Sequence, residues 1–81
     1  MNDKKQAIID AIRAKWRDEL EAKIADIRDA EQELDRAIES GESYIIKLSK
    51  GELRGESEDY ERLLLDMELE IARALADEDV L

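Results

Sequence analysis

The sequence predicts a mainly α fold of the α+β kind: a long amphipathic helix, a β-hairpin, and a second helix packed antiparallel on the first. Three observations carry this. Apolar residues recur every three or four positions from Ile8 to Ile38, with no Pro in the chain and no Gly before Gly41. Near Tyr44 the spacing shortens to a period of two, which suits a strand. After Gly55 it returns to helical spacing and continues to Ala76.

The first helix is expected over residues 3–40, with Asn2 or Asp3 as its N-cap. Ile8, Ile12, Trp16, Leu20, Ile24, Ile27, Leu34 and Ile38 fall in one stripe, with Ile9, Ala30 and Ala37 at its edges. The opposite face is charged, and Glu19 and Lys23 form a favourable i,i+4 pair. The helix should stop at Ser40-Gly41, where glycine suits the left-handed C′ position.

The hairpin is expected over residues 43–54. Tyr44, Ile45 and Ile46 favour a strand, and Tyr44, Ile46 and Leu48 alternate onto one face. Ser49-Lys50-Gly51 reads as the turn, and Glu52-Leu53-Arg54 as a short return strand. Two strands alone are marginal in water, so this hairpin would lean on the helices.

The second helix is expected over residues 57–76, capped by Ser57 and with Glu58 and Asp59 in its first turn. An acidic tail, 77–81, would follow it. Tyr60, Leu63, Leu64, Met67, Ile71, Ala74 and Leu75 form its main stripe. Leu65, Leu69, Ala72 and Ala76 lie on the opposite side, and a helix apolar on two faces sits between two neighbours. Residues 1–81 thus read as a single elongated domain.

Length then constrains association. Twenty residues of helix span about 30 Å, whereas the first helix spans roughly 55 Å. A second helix packed on residues 20–39 would leave Ile8, Ile9, Ile12 and Trp16 to another chain, and Leu20 beside them is counted with that expected interface. Leu65 and Leu69 join them as expected protein-interface residues. Trp16, the only tryptophan, is the natural anchor of such an interface.

Composition narrows the chemistry. The chain has no Cys and no His, so disulfides, Ser-His nucleophiles and the commonest metal ligand are missing. Ser40, Ser43, Ser49 and Ser57 read as turn and cap residues. Carboxylates such as Asp66, Glu68 and Glu70 sit among dense surface charge, without the unlike environments that an acid–base pair requires. Asp77-Glu78-Asp79 lacks a calcium-loop pattern. No catalytic, cofactor-binding or metal site is expected, and no small-molecule substrate. No run of apolar residues is long enough to span a membrane, and the N-terminus does not resemble a secretory signal.

The net charge is −10 and is uneven. Residues 1–40 carry 11 acids and 8 bases, 41–56 carry 3 of each, and 57–81 carry 9 acids and 2 bases. Such a chain repels phosphate backbones, so direct nucleic-acid binding is not expected. Lys47, Lys50 and Arg54 make one small basic spot, read as solvated. Glu68, Glu70, Asp77, Glu78 and Asp79 form a possible acidic footprint for a basic partner surface.

The segment Ala37-Ile38-Glu39-Ser40-Gly41-Glu42-Ser43-Tyr44-Ile45-Ile46, with Ser57-Glu58-Asp59-Tyr60 downstream, resembles small tailed-phage head-completion proteins of the gpW-like type. The resemblance covers about residues 30–75. It implies a helix–hairpin–helix fold and an oligomeric role in joining phage head to tail, in the virion or host cytoplasm. The expected partners are other copies of the chain and other phage structural proteins. The competing expectation is an acidic inhibitory binder, a DNA mimic that blocks a nucleic-acid-handling enzyme.

Overall fold

A computed structural model describes residues 3–80, with side chains through Glu78. Two α-helices account for nearly all of it: α1, Asp3–Ser40, and α2, Ser43–Val80, each 38 residues long. They pack as an antiparallel hairpin measuring 60 × 16 × 16 Å. A helix of this length spans about 57 Å, so the long dimension is simply one helix. The radius of gyration is 18.2 Å, against about 12 Å for a globule of this size.

The first helix has the expected bounds. Its C-terminus is closed as the sequence suggested: Gly41 takes φ 73°, and its N–H donates to the carbonyls of Ala37 and Ile38, each at 3.2 Å. The Ser40 hydroxyl donates to the Ala37 carbonyl at 2.6 Å and accepts from the Glu42 N–H at 3.4 Å. The Glu42 carbonyl already accepts from the Ile46 N–H at 3.0 Å. Glu42 is therefore the N-cap of α2, and the connection is only two residues long.

The expected β-hairpin over 43–54 is overturned. Those residues are the first three turns of α2, and no strand is present among the described residues. Ser57 is therefore not a cap; it lies mid-helix, half-buried. The expected acidic tail is likewise helical through Val80, and Leu81 lies outside the described residues. Asn2, the alternative N-cap, also lies outside them.

The physical reason is a longer pattern than the local one. Ile46, Ser49, Leu53, Glu56, Tyr60, Leu63, Met67, Glu70 and Ala74 alternate spacings of three and four, and each is buried or half-buried. That is the heptad spacing of a helix packed along another helix. On α1 the matching residues are Ile12, Trp16, Leu20, Lys23, Ile27, Ala30, Leu34 and Ala37. Ile38, placed in the stripe from the sequence, is instead 54% exposed, and Ala37 at 3% takes its place. Near the turn the seam is lined by small buried residues, Ala30, Ala37 and Ser49, which allow the helices to approach closely. Continuing the helix through 43–56 costs two mid-helix glycines, about 1 kcal/mol each relative to Ala. In return it buries Ile46 and Leu53 on α1, which a marginal two-stranded ribbon would not secure.

The three glycines separate these effects. At Gly41, Ala would have to adopt a left-handed conformation, a loss of about 1–2 kcal/mol. At Gly51 and Gly55 an added Cβ meets no atom within 4 Å, so Ala should gain about 0.5–1 kcal/mol at each. Urea unfolding in dilute solution should show Gly41→Ala lowering the midpoint and Gly51→Ala and Gly55→Ala raising it. Equal signs at all three positions would contradict the two-helix assignment of residues 43–56.

Candidate interaction surfaces

The helix seam is not purely apolar. Lys23 occupies a core position of α1 and donates to Glu56 Oε2 at 2.9 Å. Its ammonium also lies 3.6 Å from Asp59 and 3.8 Å from Asp26. The Glu56 hydrogen bond, reinforced by the three negative charges, holds the Lys23 pKa above the usual lysine value. Further along, Lys15 Nζ donates to both Glu70 oxygens, at 2.9 and 3.1 Å. The Trp16 Nε1–H donates to Glu70 Oε1 at 3.3 Å. These bonds, the lysine's first, hold the Glu70 pKa below the usual carboxylate value. Near the open end Lys4 pairs with Glu78 at 2.9 Å.

Lys4 and Glu78, and Lys15 and Glu70, lie nearly equidistant from the Gly41-Glu42 turn, and Lys23 and Glu56 differ by one helical turn. Lys4–Glu78 and Lys15–Glu70 act as register marks, because a slip of the seam would separate each cation from its acid, whereas Lys23 lies among several acids of α2. Asp26, Asp29, Glu33, Glu52, Glu56 and Asp59 also line one open groove between the helices, beside Ala30 and Gly55. Among the described residues no group of three or more acids is placed to hold a metal ion. No helix among them is long and apolar enough to cross a membrane.

The expected interface residues divide into two sets. Ile12 is buried, and Ile8, Trp16 and Leu20 are half-buried, on the seam of α1. Because α2 begins at residue 43 and not 57, its C-terminal half extends over the N-terminal third of α1. Leu65 and Leu69 are different: they are 55% and 46% exposed, on the side of α2 away from α1. Tyr44, at 74%, and Leu48, at 52%, extend the same outer face toward the turn. Reading 43–54 as a hairpin hid these two residues. The signal that finds them is their spacing with Gly51 and Gly55, four, three and four, which matches Leu65, Leu69, Ala72 and Ala76.

The expected acidic footprint is also divided. Glu70 and Glu78 are engaged by Lys15 and Lys4. Glu68 and Asp77 are exposed, and the side chain of Asp79 lies outside the described residues. Lys47, Lys50 and Arg54 gather around Gly51 on the surface of α2. Comparisons of the chain with protein families, with curated proteins and with solved structures give no match.

Two expectations follow from the Glu70 site. A carboxyl whose folded pKa is depressed stabilises the fold above its unfolded pKa, and that stabilisation is lost as pH falls through the folded value. The gap in melting temperature between wild type and Glu70→Gln should therefore be constant at neutral pH and close below pH 4.5, the ordinary glutamate value. A gap independent of pH would remove Glu70 from the seam's electrostatics. Trp16→Glu puts a second carboxylate beside Glu70 and removes a half-buried ring. It should cost about 1–3 kcal/mol in dilute thermal unfolding, whereas an unchanged melt would place Trp16 outside the hairpin's own packing.

Proposed function

We propose that this chain is a non-catalytic assembly protein: a rigid helical hairpin whose outer α2 face docks against a further helix. The observation that carries the reading is the row of exposed large apolar residues, Tyr44, Leu48, Leu65 and Leu69, on the side of α2 facing away from α1. Exposed apolar residues in such a row mark interaction sites; here they form two patches, Tyr44 with Leu48 and Leu65 with Leu69, on a face whose length, about 48 Å from residue 44 to 76, suits a helix and not a small ligand. An oligomeric phage head–tail connector, in the virion or host cytoplasm, is one specific form of this role. It draws on the sequence resemblance alone.

The alternative, an acidic inhibitor of a nucleic-acid-handling enzyme, draws support from the carboxylates lining the inter-helix groove. Lys23, ion-paired with three of those acids, Asp26, Glu56 and Asp59, weakens the resemblance to a phosphate row. The assembly reading is favoured because it uses the exposed apolar face, which a DNA mimic leaves unexplained.

The test compares the wild type with a variant carrying Leu48→Glu, Leu65→Glu and Leu69→Glu, as complexes in cell extract and as purified protein. The wild type should run in complexes above its 9.3 kDa chain mass. The variant should run as the single chain, with helix content and dilute melting temperature retained. A wild type at single-chain mass in both settings would sink the assembly role.

A further inference from the structure

Resting on that assembly reading, we infer that the partner of the outer α2 face is the same face of a second copy, paired antiparallel about a two-fold axis beside residue 60. The outer face is a second heptad seam. From Tyr44 to Ala76 its residues are spaced by alternating fours and threes through ten positions, and all ten are exposed. Two seams on opposite sides of one helix are what a helix packed between two others requires.

The order of residues in this seam names the occupant. It is complementary to its own reverse, position by position about residue 60. Tyr44 would face Ala76 of the second copy, and Leu48 would face Ala72. Gly51 would face Leu69, and Gly55 would face Leu65. At the centre, Glu58 would face Arg62. Each layer thus sets a large side chain against a small one or an acid against a base, and two-fold symmetry repeats every layer. Antiparallel heptad seams place one of their two tracks opposite the other, and all five pairs obey this.

The glycines support the same geometry. Gly51 and Gly55 weaken α2 relative to Ala, yet neither has a positive φ nor a neighbouring atom that would exclude a Cβ. Nothing within the hairpin accounts for them. Opposite Leu69 and Leu65 of a second copy, they become the holes that receive those side chains. Glu58 and Arg62 have no ion-pair or hydrogen-bond partner within the described chain. A parallel pairing in register would set Glu58 on Glu58 and Arg62 on Arg62, and glycine on glycine. The flanks do not set the register: Arg54 would meet Glu68, but Glu61 and Asp59 would each meet their own copy and Glu52 would meet Asp66. The ten central layers therefore set the register.

Sedimentation velocity of the purified chain, with helix content as a folding control, tests this. The wild type should reach twice its 9.3 kDa mass, and more readily with added salt, which screens the repulsion between two chains of charge −10. Glu58→Arg alone and Arg62→Glu alone should each weaken the dimer roughly tenfold or more through like-charge contacts. The double variant Glu58→Arg with Arg62→Glu should recover it. Because the chain has no Cys, cross-linking reads the direction cleanly. Leu48→Cys with Ala72→Cys should join two copies by disulfides. Leu48→Cys alone should not, since the two copies of residue 48 would lie about 36 Å apart. A monomeric wild type, a double charge variant that stays weak, or a cross-link through Leu48→Cys alone would overturn the self-pairing. A chain that is monomeric when pure yet complexed in extract would overturn it while leaving the assembly reading intact.

Discussion

Everything in this molecule depends on the register of α2 against α1. Two heptad seams of equal length can in principle slide past each other by a turn with little loss of apolar contact. Here the slide is blocked at one end by the two-residue Gly41-Glu42 connection, whose left-handed glycine leaves no slack. Along the seam it is opposed by cations that reach acids of α2, Lys15 at Glu70 and Lys4 at Glu78. Lys23 at the middle and Lys15 with Trp16 nearer the open end both reach across to α2. Polar residues in an apolar seam contribute little net stability but penalise every wrong alignment.

That register decides which residues are available. Moving the start of α2 from 57 back to 43 shifts its C-terminal half, rich in large apolar side chains, over Ile8, Ile12 and Trp16. The N-terminal third of α1 then has its partner within the chain. The uncovered apolar surface passes to the far side of α2, where Tyr44, Leu48, Leu65 and Leu69 stand exposed. A narrow two-helix rod cannot bury a third face, so an amphipathic pattern repeated on opposite sides of one helix necessarily leaves one side for something else.

Charge follows the same logic. Residues 57–81 carry nine acids and the first helix eight bases, and the pairs Lys4–Glu78, Lys15–Glu70 and Lys23–Asp59 draw on that difference. These pairs are partly solvated, so each contributes more to alignment than to stability. Acids such as Glu68 and Asp77 remain exposed on the surface of the rod.

The sequence alone specified the first helix, its end at Gly41 and the two-faced character of the second. These follow from local hydrophobic spacing and from the special backbone of one glycine. It misled over residues 43–56, where Tyr44, Ile45, Ile46, Gly51 and Gly55 each favour a strand or a turn. Tertiary packing outweighed those preferences, because Ile46, Ser49 and Leu53 extend a heptad seam that α1 is long enough to receive. That the N-terminal third of α1 would be covered within the chain was likewise not legible locally. It follows from register, set by contacts such as Lys23 to Glu56 between residues far apart in the chain, and such pairings exist only once the helices lie side by side.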